Sequence, residues 1–346
     1  MTDIRDLTRE ELAAELAAMG EPAFRAGQIF GWLYAKGAGS FDDFTDLPKS
    51  LRRKLAGRFS FRPLEVEGFL RARDGTEKYL LRLQDGFGIE TVVIPAGERR
   101  TICLSTQAGC KYACVFCASG RHGFKRNLVP SEIVGQILSL RTALDAALSN
   151  IVFMGMGEPL DNFDNLVRAV RILNDPRGMG IAARRMTVST AGVVPGILRL
   201  RELGLQINLS VSLHAADDEL RSRLTPVNRK YPLAMVVAAC EDYLREGGRK
   251  ITFEYILLDG VNDRPADADG LARLSYRLRA KVNLIPYSPV EGFDFRTPSP
   301  ERIQAFLRRL EEKGAAVTLR RSKGRDIRAA CGQLAGRLGG LKTDGR

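Results

Sequence analysis

Between residues 101 and 286, short apolar runs alternate with amphipathic stretches through six cycles, and nothing else in the chain constrains its fold so tightly. The strand candidates are 101–105, 150–154, 186–189, 206–213, 251–257 and 281–286, with helices near 131–147, 162–173, 194–203, 232–246 and 266–280. Parallel strands need crossovers long enough to hold a helix. The pattern therefore predicts an α/β fold in which six βα units curl a parallel sheet into a partial barrel. In such architectures the loops at the carboxyl ends of the strands carry the chemistry.

The preceding residues read differently. Thr8 and Glu11 form a capping-box signature opening a helix over 9–19. A second helix follows Pro22 and carries Phe24, Phe30, Leu33 and Tyr34. A third starts at Asp46, Leu47 and Pro48 and gathers Lys49, Arg52, Arg53, Lys54 and Arg58, a face suited to phosphates or simply to solvent. From Leu64 the pattern turns to strands, and Asp74-Gly75 and Asp85-Gly86 predict two hairpins. The expected organisation is a helical domain (1–60), a β-rich connector (61–100), the barrel core (101–334) and a loosely ordered tail (335–346).

Fifty-three Lys and Arg against 41 Asp and Glu leave a net charge of +12, which favours a polyanionic partner. No apolar run approaches the roughly 18 residues of a membrane helix. The acidic, polar start (Met1, Asp3, Asp6) is unlike a secretory signal, so a cytoplasmic setting is expected. Cysteines in that reducing compartment form no static disulfide framework. Of the six, Cys103, Cys110, Cys114 and Cys117 crowd into one short stretch, which points to metal or thiol chemistry. Cys240 sits in a helix among Ala238, Ala239 and Leu244 and reads as core.

Cys110, Cys114 and Cys117 have the spacing Cys-x3-Cys-x2-Cys, in the loop after the first barrel strand. Thiolates alone suit a soft metal or an iron–sulfur cluster, and three ligands leave a position open for substrate. A structural zinc ion with Cys103 or His122 as fourth ligand also fits the spacing. Lys111, Arg121, Lys125 and Arg126 surround this loop, whereas Arg184 and Arg185 precede a strand and belong to the opposite rim.

The cysteine loop followed by a βα partial barrel resembles the radical S-adenosylmethionine enzymes. Gly155-Met156-Gly157-Glu158-Pro159, after the second strand, resembles that superfamily's Gly-Glu-Pro motif. Ser189 to Gly192, Ser212-Leu213-His214, Asn283 to Ser288, and the segment from Lys323 through Cys331 to Leu334 narrow the match. With them the chain resembles the bacterial adenine-C2 methyltransferases of ribosomal and transfer RNA, from its first helices to Leu334.

The resemblance implies a four-iron, four-sulfur (4Fe-4S) cluster on Cys110, Cys114 and Cys117, whose open iron chelates S-adenosylmethionine, with two such molecules used per turnover. It implies that Gly157 and Glu158 hold the ammonium group, and that Ser189, Ser212, Leu213, His214 and Ser288 contact the cofactor. The family usually has asparagine in place of Ser288, and serine is shorter. Cys331 becomes the methyl carrier, Cys103 the thiol that releases the RNA through a transient disulfide, and Glu90 the base. The implied partners are 23S ribosomal RNA, transfer RNA, an electron donor such as flavodoxin and a disulfide reductant; the chain would be a monomer without membrane contact. A related adenine-C8 methyltransferase shares the cysteines, and a zinc-stabilised RNA-binding protein without catalysis is the alternative from another class.

The residues add physical expectations. Glu90 shares a strand face with Val92 and Ile94, which places its carboxylate on an apolar surface. Without a partner, burial raises such a group toward a base's working range; with one, it is structural. Arg320, Arg321, Lys323, Arg325 and Arg328 flank Cys331 in sequence and would favour its thiolate.

Overall fold

The computed structural model describes residues 1–144 and 148–336. The chain opens with α1 (Arg9–Ala18), started by the expected capping box. Thr8 N–H donates to Glu11 Oε2 at 2.9 Å, and Glu11 N–H donates to Thr8 Oγ1 at 3.3 Å. The second helix, α2 (Arg25–Phe30), widens into a π-helical turn over Gly31–Lys36. Phe30, Leu33 and Tyr34 are buried, but Phe24 stands outside the helix and is 64% exposed. Leu51 and Leu55 anchor α3 (Lys49–Arg58) through one apolar stripe.

Three strands follow: β1 (Glu65–Arg71), β2 (Glu77–Arg82) and β3 (Gly88–Ala96). The Asp-Gly turns joining them hold Gly75 at φ 81° and Gly86 at φ 85°. Glycine enters that region without the penalty a Cβ would bring. β3 also pairs antiparallel with β4 (Arg99–Cys103), so there are three hairpins where two were expected. The connector is no separate layer, since it continues the barrel's sheet.

The barrel region contains the short pair β5 (Gln107–Ala108) and β6 (Arg126–Asn127), then β7 (Leu148–Phe153), β8 (Met186–Thr190), β9 (Asn208–Ser212), β10 (Ile251–Leu257), β11 (Lys281–Pro286) and β12 (Val317–Leu319). Its helices are α4 (Ala118–Arg121), α5 (Pro130–Ser139), α6 (Arg141–Leu144), α7 (Phe163–Asn174), α8 (Val194–Arg201), α9 (Asp218–Leu224), α10 (Leu233–Arg245), α11 (Pro265–Leu278) and α12 (Pro300–Glu312). Ten strands form one sheet in the order β1-β2-β3-β4-β7-β8-β9-β10-β11-β12, parallel from β4 onward. The six expected parallel strands are present, and β12 adds a seventh at the edge. The helix expected over 131–147 is broken at Leu140 into α5 and α6, and 145–147 lie outside the described residues.

Period-two alternation sorts the strands into two faces. Leu209 and Val211, Phe253, Tyr255 and Leu257, and Val282 and Leu284 join the main core with the helices, where Tyr255 stacks on Phe306 at 5.6 Å. Ser210, Ser212, Glu254, Ile256, Asn283 and Ile285 occupy the alternate positions and face the barrel interior. A smaller cluster around Phe116, Leu220, Ile256, Ile285 and Tyr287 closes the top beside the cysteine loop, and Cys240 is core as expected. Among the described residues no helix is long and apolar enough to cross a membrane.

Candidate active site at the strand ends

The carboxyl ends of β7 to β11 surround a cavity lined by Cys110, Cys114 and Cys117, by Gly157, Glu158, Ser189, Ser212 and His214, and by Cys331. The cysteine loop is shaped locally. Gly109, at φ 76°, admits no side chain because a Cβ would strike the carbonyl of Gly123. Cys117 N–H donates to the Cys114 carbonyl at 3.0 Å. The segment bearing Cys331 is tied to this loop: Ala118 N–H donates to Gly332 O at 2.7 Å and Ser119 Oγ to Leu334 O at 2.7 Å.

Burial pushes the Cys110 thiol up to about 12, and burial with the neighbouring Cys117 and Cys110 pushes Cys114 well above its ordinary value. A bound cationic centre reverses that preference. Among the described residues no three His, Cys, Asp or Glu side chains converge to hold one metal ion, and neither Cys103 nor His122 lines the cavity. Three thiols on one cavity wall without a fourth ligand suit an iron–sulfur cluster with an open iron better than closed tetrahedral zinc.

The second strand end fits an amino-acid ammonium. Gly157, at φ 96°, again has no room for a Cβ, which would overlap Gln107. Glu158, 3% exposed, accepts Leu160 N–H at 3.1 Å on one oxygen and Ala191 N–H at 2.7 Å on the other. Burial outweighs these donors and the Thr190 hydroxyl and raises Glu158 to about 7. A carboxylate held away from water on a cavity wall, with no ion-pair partner among the described residues, suits a cationic ligand.

His214 adopts φ 59°. That conformation is rare for a residue with a Cβ and marks backbone strain at a site. Its Nδ1 accepts Ile256 N–H at 3.1 Å, and its ring meets Phe116 edge-on at 4.7 Å. Burial, with the nearby Arg221 charge, lowers it to about 3, so the imidazole is neutral and Nε2 carries the proton. Leu213 is fully buried and Ser288 is 4% exposed, and both lie behind the residues that line the cavity. Ser288 Oγ is buried without a partner.

Two polar residues of the site escaped the sequence reading. Arg221 is fully buried and donates to Ala191 O at 2.7 Å, Leu213 O at 3.2 Å and Asn228 Oδ1 at 2.5 Å, so it clamps the turns after β8 and β9. Burial lowers it to about 10. Glu254 lines the cavity from β10; its Oε1 accepts Ser210 Oγ and Asn283 Nδ2, both at 2.9 Å, while Oε2 is buried without a hydrogen-bond partner. The one available signal was a carboxylate in the middle of the apolar run 251–257.

Glu90, Cys103 and Cys331 lie in surroundings that their neighbours in sequence do not reveal. Glu90 is fully buried but partnered: Lys78 Nζ stands 3.0 Å from Oε1, and Oε2 accepts the N–H groups of Ala335 at 2.5 Å and Gly336 at 3.2 Å. Of the two readings open for Glu90, the structure shows the paired carboxylate, and the first two residues of the expected loose tail are pinned. Residues 337–346 lie outside those described. Cys103 ends β4, is 8% exposed and lies outside the cavity lining; burial, then the proximity of Cys331, pushes its thiol up to about 12. Both thiols are free. Cys331 keeps solvent access, yet dense packing around its sulfur raises its thiol and only Arg320 among its basic neighbours opposes this, so the expected net stabilisation of the thiolate is reversed. Arg328 instead pairs with Glu291 at 3.0 Å.

Other cations are partly neutralised as well. Lys111 pairs with Asp161 at 2.6 Å, Arg126 with Asp85 and Glu132, Lys54 with Glu21 at 2.5 Å and Arg58 with Glu15 at 3.0 Å. Lys49, Arg52 and Arg53 line a surface groove with Phe41. Arg184 and Arg185 precede β8, at the rim away from the cavity, as expected.

Comparison with known proteins places the chain in a family. The Radical SAM superfamily model matches residues 104–269, and the model described as ribosomal RNA large subunit methyltransferase N-terminal domain matches 2–60. The dual-specificity RNA methyltransferase RlmN of Geobacter sulfurreducens is 48% identical over 345 residues, covering 100% of this chain and 95% of that protein. The probable enzyme of that name from Gemmatimonas aurantiaca is 50% identical, covering 92% and 88%. The crystal structure of a radical SAM methyltransferase from Sphaerobacter thermophilus superposes with a TM-score of 0.91 at 47% identity, covering 97% of this chain and 100% of that one. Fold and site thus define a radical S-adenosylmethionine enzyme that methylates RNA, a class that implies a 4Fe-4S cluster and S-adenosylmethionine. Within that class, the chain belongs to the RlmN family of dual-specificity RNA methyltransferases.

Proposed function

We propose that the chain methylates C2 of adenine in the peptidyl-transferase region of 23S ribosomal RNA and in transfer RNA 3′ of the anticodon, with the methyl group carried on Cys331. The observation that carries this reading is the meeting of Cys331, the cysteine loop and Glu158 on one cavity, with Cys103 close enough to Cys331 to feel its charge. C2 is an electron-poor carbon without a lone pair, so polar transfer from a sulfonium to it is unsuitable and a carrier is needed.

One cluster on Cys110, Cys114 and Cys117, with two S-adenosylmethionine molecules per turnover, supplies a methyl group and a hydrogen-abstracting radical when bound. Cys331 loses its thiol proton and takes the methyl group as a thioether. Removal of one hydrogen atom leaves a carbon radical, which adds to C2, and the adduct then gives up one electron, for which a cluster held by Cys110, Cys114 and Cys117 would be the acceptor. Cys103, as thiolate, attacks the Cys331 sulfur. The electron pair of the broken carbon–sulfur bond stays with the methylene, which gains a proton as C2 yields its own to Glu90. The resulting disulfide must be reduced for the next turnover. Because Ala335 and Gly336 occupy Glu90 Oε2 in this structure, these two residues must release it for the base to reach the adenine.

Gly157 and Glu158 orient the ammonium, and Ser189, Ser212 and His214 line the remaining wall. Residues 1–60 serve as the RNA-binding domain, 61–100 as the connector bearing Glu90, and 101–334 as the core. A monomer served by flavodoxin or a similar donor and by a disulfide reductant belongs in the cytoplasm. The test is mass spectrometry of nucleosides from ribosomal and transfer RNA treated with the reconstituted chain, S-adenosylmethionine and a reductant. 2-Methyladenosine supports the reading, 8-methyladenosine changes the target carbon, and a colourless zinc protein without product refutes it.

A further inference from the structure

Lys78 and Glu90 form a buried pair whose contacts reach past one another to both sides of Cys331. Lys78 stands on β2, is 3% exposed and has Nζ 3.0 Å from Glu90 Oε1. Lysine is rarely buried unless its charge is met, and its ammonium has further N–H groups to place. One goes to Arg328 O at 3.1 Å, three residues before Cys331. Glu90 Oε2 accepts Ala335 N–H at 2.5 Å and Gly336 N–H at 3.2 Å, four and five residues after Cys331. The two charges thus hold the carrier segment at each end. Between those ends, Cys331 forms part of the cavity wall together with Glu158 and the cysteine loop.

The crossing of the segment over β3 is built for close approach. Gly336 has φ 71°, and a Cβ there would strike Gly88 O; a Cβ on Gly88, at the start of β3, would strike Gly336 O. Backbone therefore meets backbone at this point, and Glu90 lies two residues along the same strand face. Apolar packing would hold the segment whether or not RNA were present. A hold on the base's own carboxylate yields when the base is engaged, because a carboxylate turned to the adenine cannot keep both backbone donors. We propose that Lys78 and Glu90 seat the Cys331 segment for methyl loading before RNA binds, Lys78 acting as a positioning residue, and that RNA releases the segment by engaging Glu90, an assignment that rests on the carrier reading given above and adds no covalent step to it.

The test uses the reconstituted full chain and follows two rates by mass spectrometry. One is the appearance of a methyl group on Cys331 with S-adenosylmethionine and no RNA; the other is hydrogen exchange at Ala335 and Gly336. Gly336→Ala bars the close approach but leaves Lys78 and Glu90 in place. Loading should slow in proportion to the seated fraction, roughly 10- to 100-fold for one lost hydrogen bond to a charged group. Exchange should quicken by a similar factor. Transfer to RNA from chain already methylated on Cys331 should be no slower than in the wild type. Lys78→Met/Glu90→Gln, which removes both charges, should load as slowly. In the wild type, unmodified transfer RNA should quicken exchange at Ala335 and Gly336. Loading at the wild-type rate in either variant overturns the proposal, as does exchange that RNA leaves unchanged. Equal losses of loading and transfer in Gly336→Ala mark a merely structural effect and also overturn it. Iron content and melting temperature report folding. A wild-type chain that gains no methyl group on Cys331 removes the carrier reading, and this assignment with it.

Discussion

Glu158 sets a pH dependence that can be worked out before any measurement. Its folded value, raised by burial to about 7 from the ordinary 4.5, means that the proton must leave before an ammonium can bind. Apparent affinity is then reduced by the charged fraction. That fraction rises from about 3% at pH 5.5 to about 50% at pH 7.0, so S-adenosylhomocysteine should bind roughly 15-fold more tightly across the interval. The ligand's own amino group, titrating near 7.7–8.0, remains largely charged over that range. An unperturbed glutamate would change the affinity by only about a tenth.

The sign for stability is opposite. A carboxyl group whose folded value lies above its unfolded one disfavours the fold wherever it is charged. The penalty, about 3 kcal/mol, is therefore fully present above pH 7 and is relieved as the pH falls toward 4.5. Calorimetric titration from pH 5.5 to 7.0 on the wild type and on Glu158→Gln is the assay. The variant should bind weakly and without slope. A flat wild-type profile, or the same slope in the variant, would refute the assignment of the titrating group.

Other perturbations test the surrounding supports. Lys78→Met leaves Glu90 with backbone donors alone and should cost about 3–5 kcal/mol in urea unfolding, most of it regained in Lys78→Met/Glu90→Gln. Equal stabilities of the single and double variants would mean that the pair is not the cause. Arg221→Met strands three acceptors at about 1–3 kcal/mol each but relieves about 3 kcal/mol of guanidinium burial. The balance leaves a net loss of up to about 6 kcal/mol in urea unfolding, beside a clear loss of affinity for S-adenosylhomocysteine as the Ala191 turn loosens, and an intact affinity would count against the clamp. Cys103→Ala should accumulate a covalent RNA–protein adduct on denaturing gels. Free methylated RNA at the normal rate would remove Cys103 from the scheme.

The barrel was legible because its strands and helices are each specified by local periodicity, and parallel strands allow few connections. Less was visible where two residues decide between continuing and breaking. Leu140 interrupts a helix that its neighbours would have extended, and β12 is only three residues long, too short for a period to register. The third hairpin turns at Gly97, which adopts φ 59°. Its neighbours Ala96 and Glu98 carry none of the Asp-Gly signature that marked the other two turns.

Charge near a residue in sequence is a poor guide to charge near it in space, and this limits how far a site can be read before folding. Five cations surround Cys331 along the chain, yet Arg328 turns outward to Glu291 and only Arg320 acts on the thiol. Glu90 was correctly placed on an apolar face, but its partner arrives from the adjacent strand: Lys78 faces Val92, two pairs along on the same side of the sheet, and so reaches the carboxylate diagonally. Arg221 lies on a seven-residue helix whose sequence, Asp-Glu-Leu-Arg-Ser-Arg-Leu, reads as an ordinary solvated turn. Only the closing of β8 and β9 beside it makes that guanidinium a clamp for the turn that holds Glu158. Such groups are therefore defined by the acceptors and donors that folding leaves open around them, and a lone inward-facing charge on an apolar strand, as at Glu90 and Glu254, is the sequence signal that points to them.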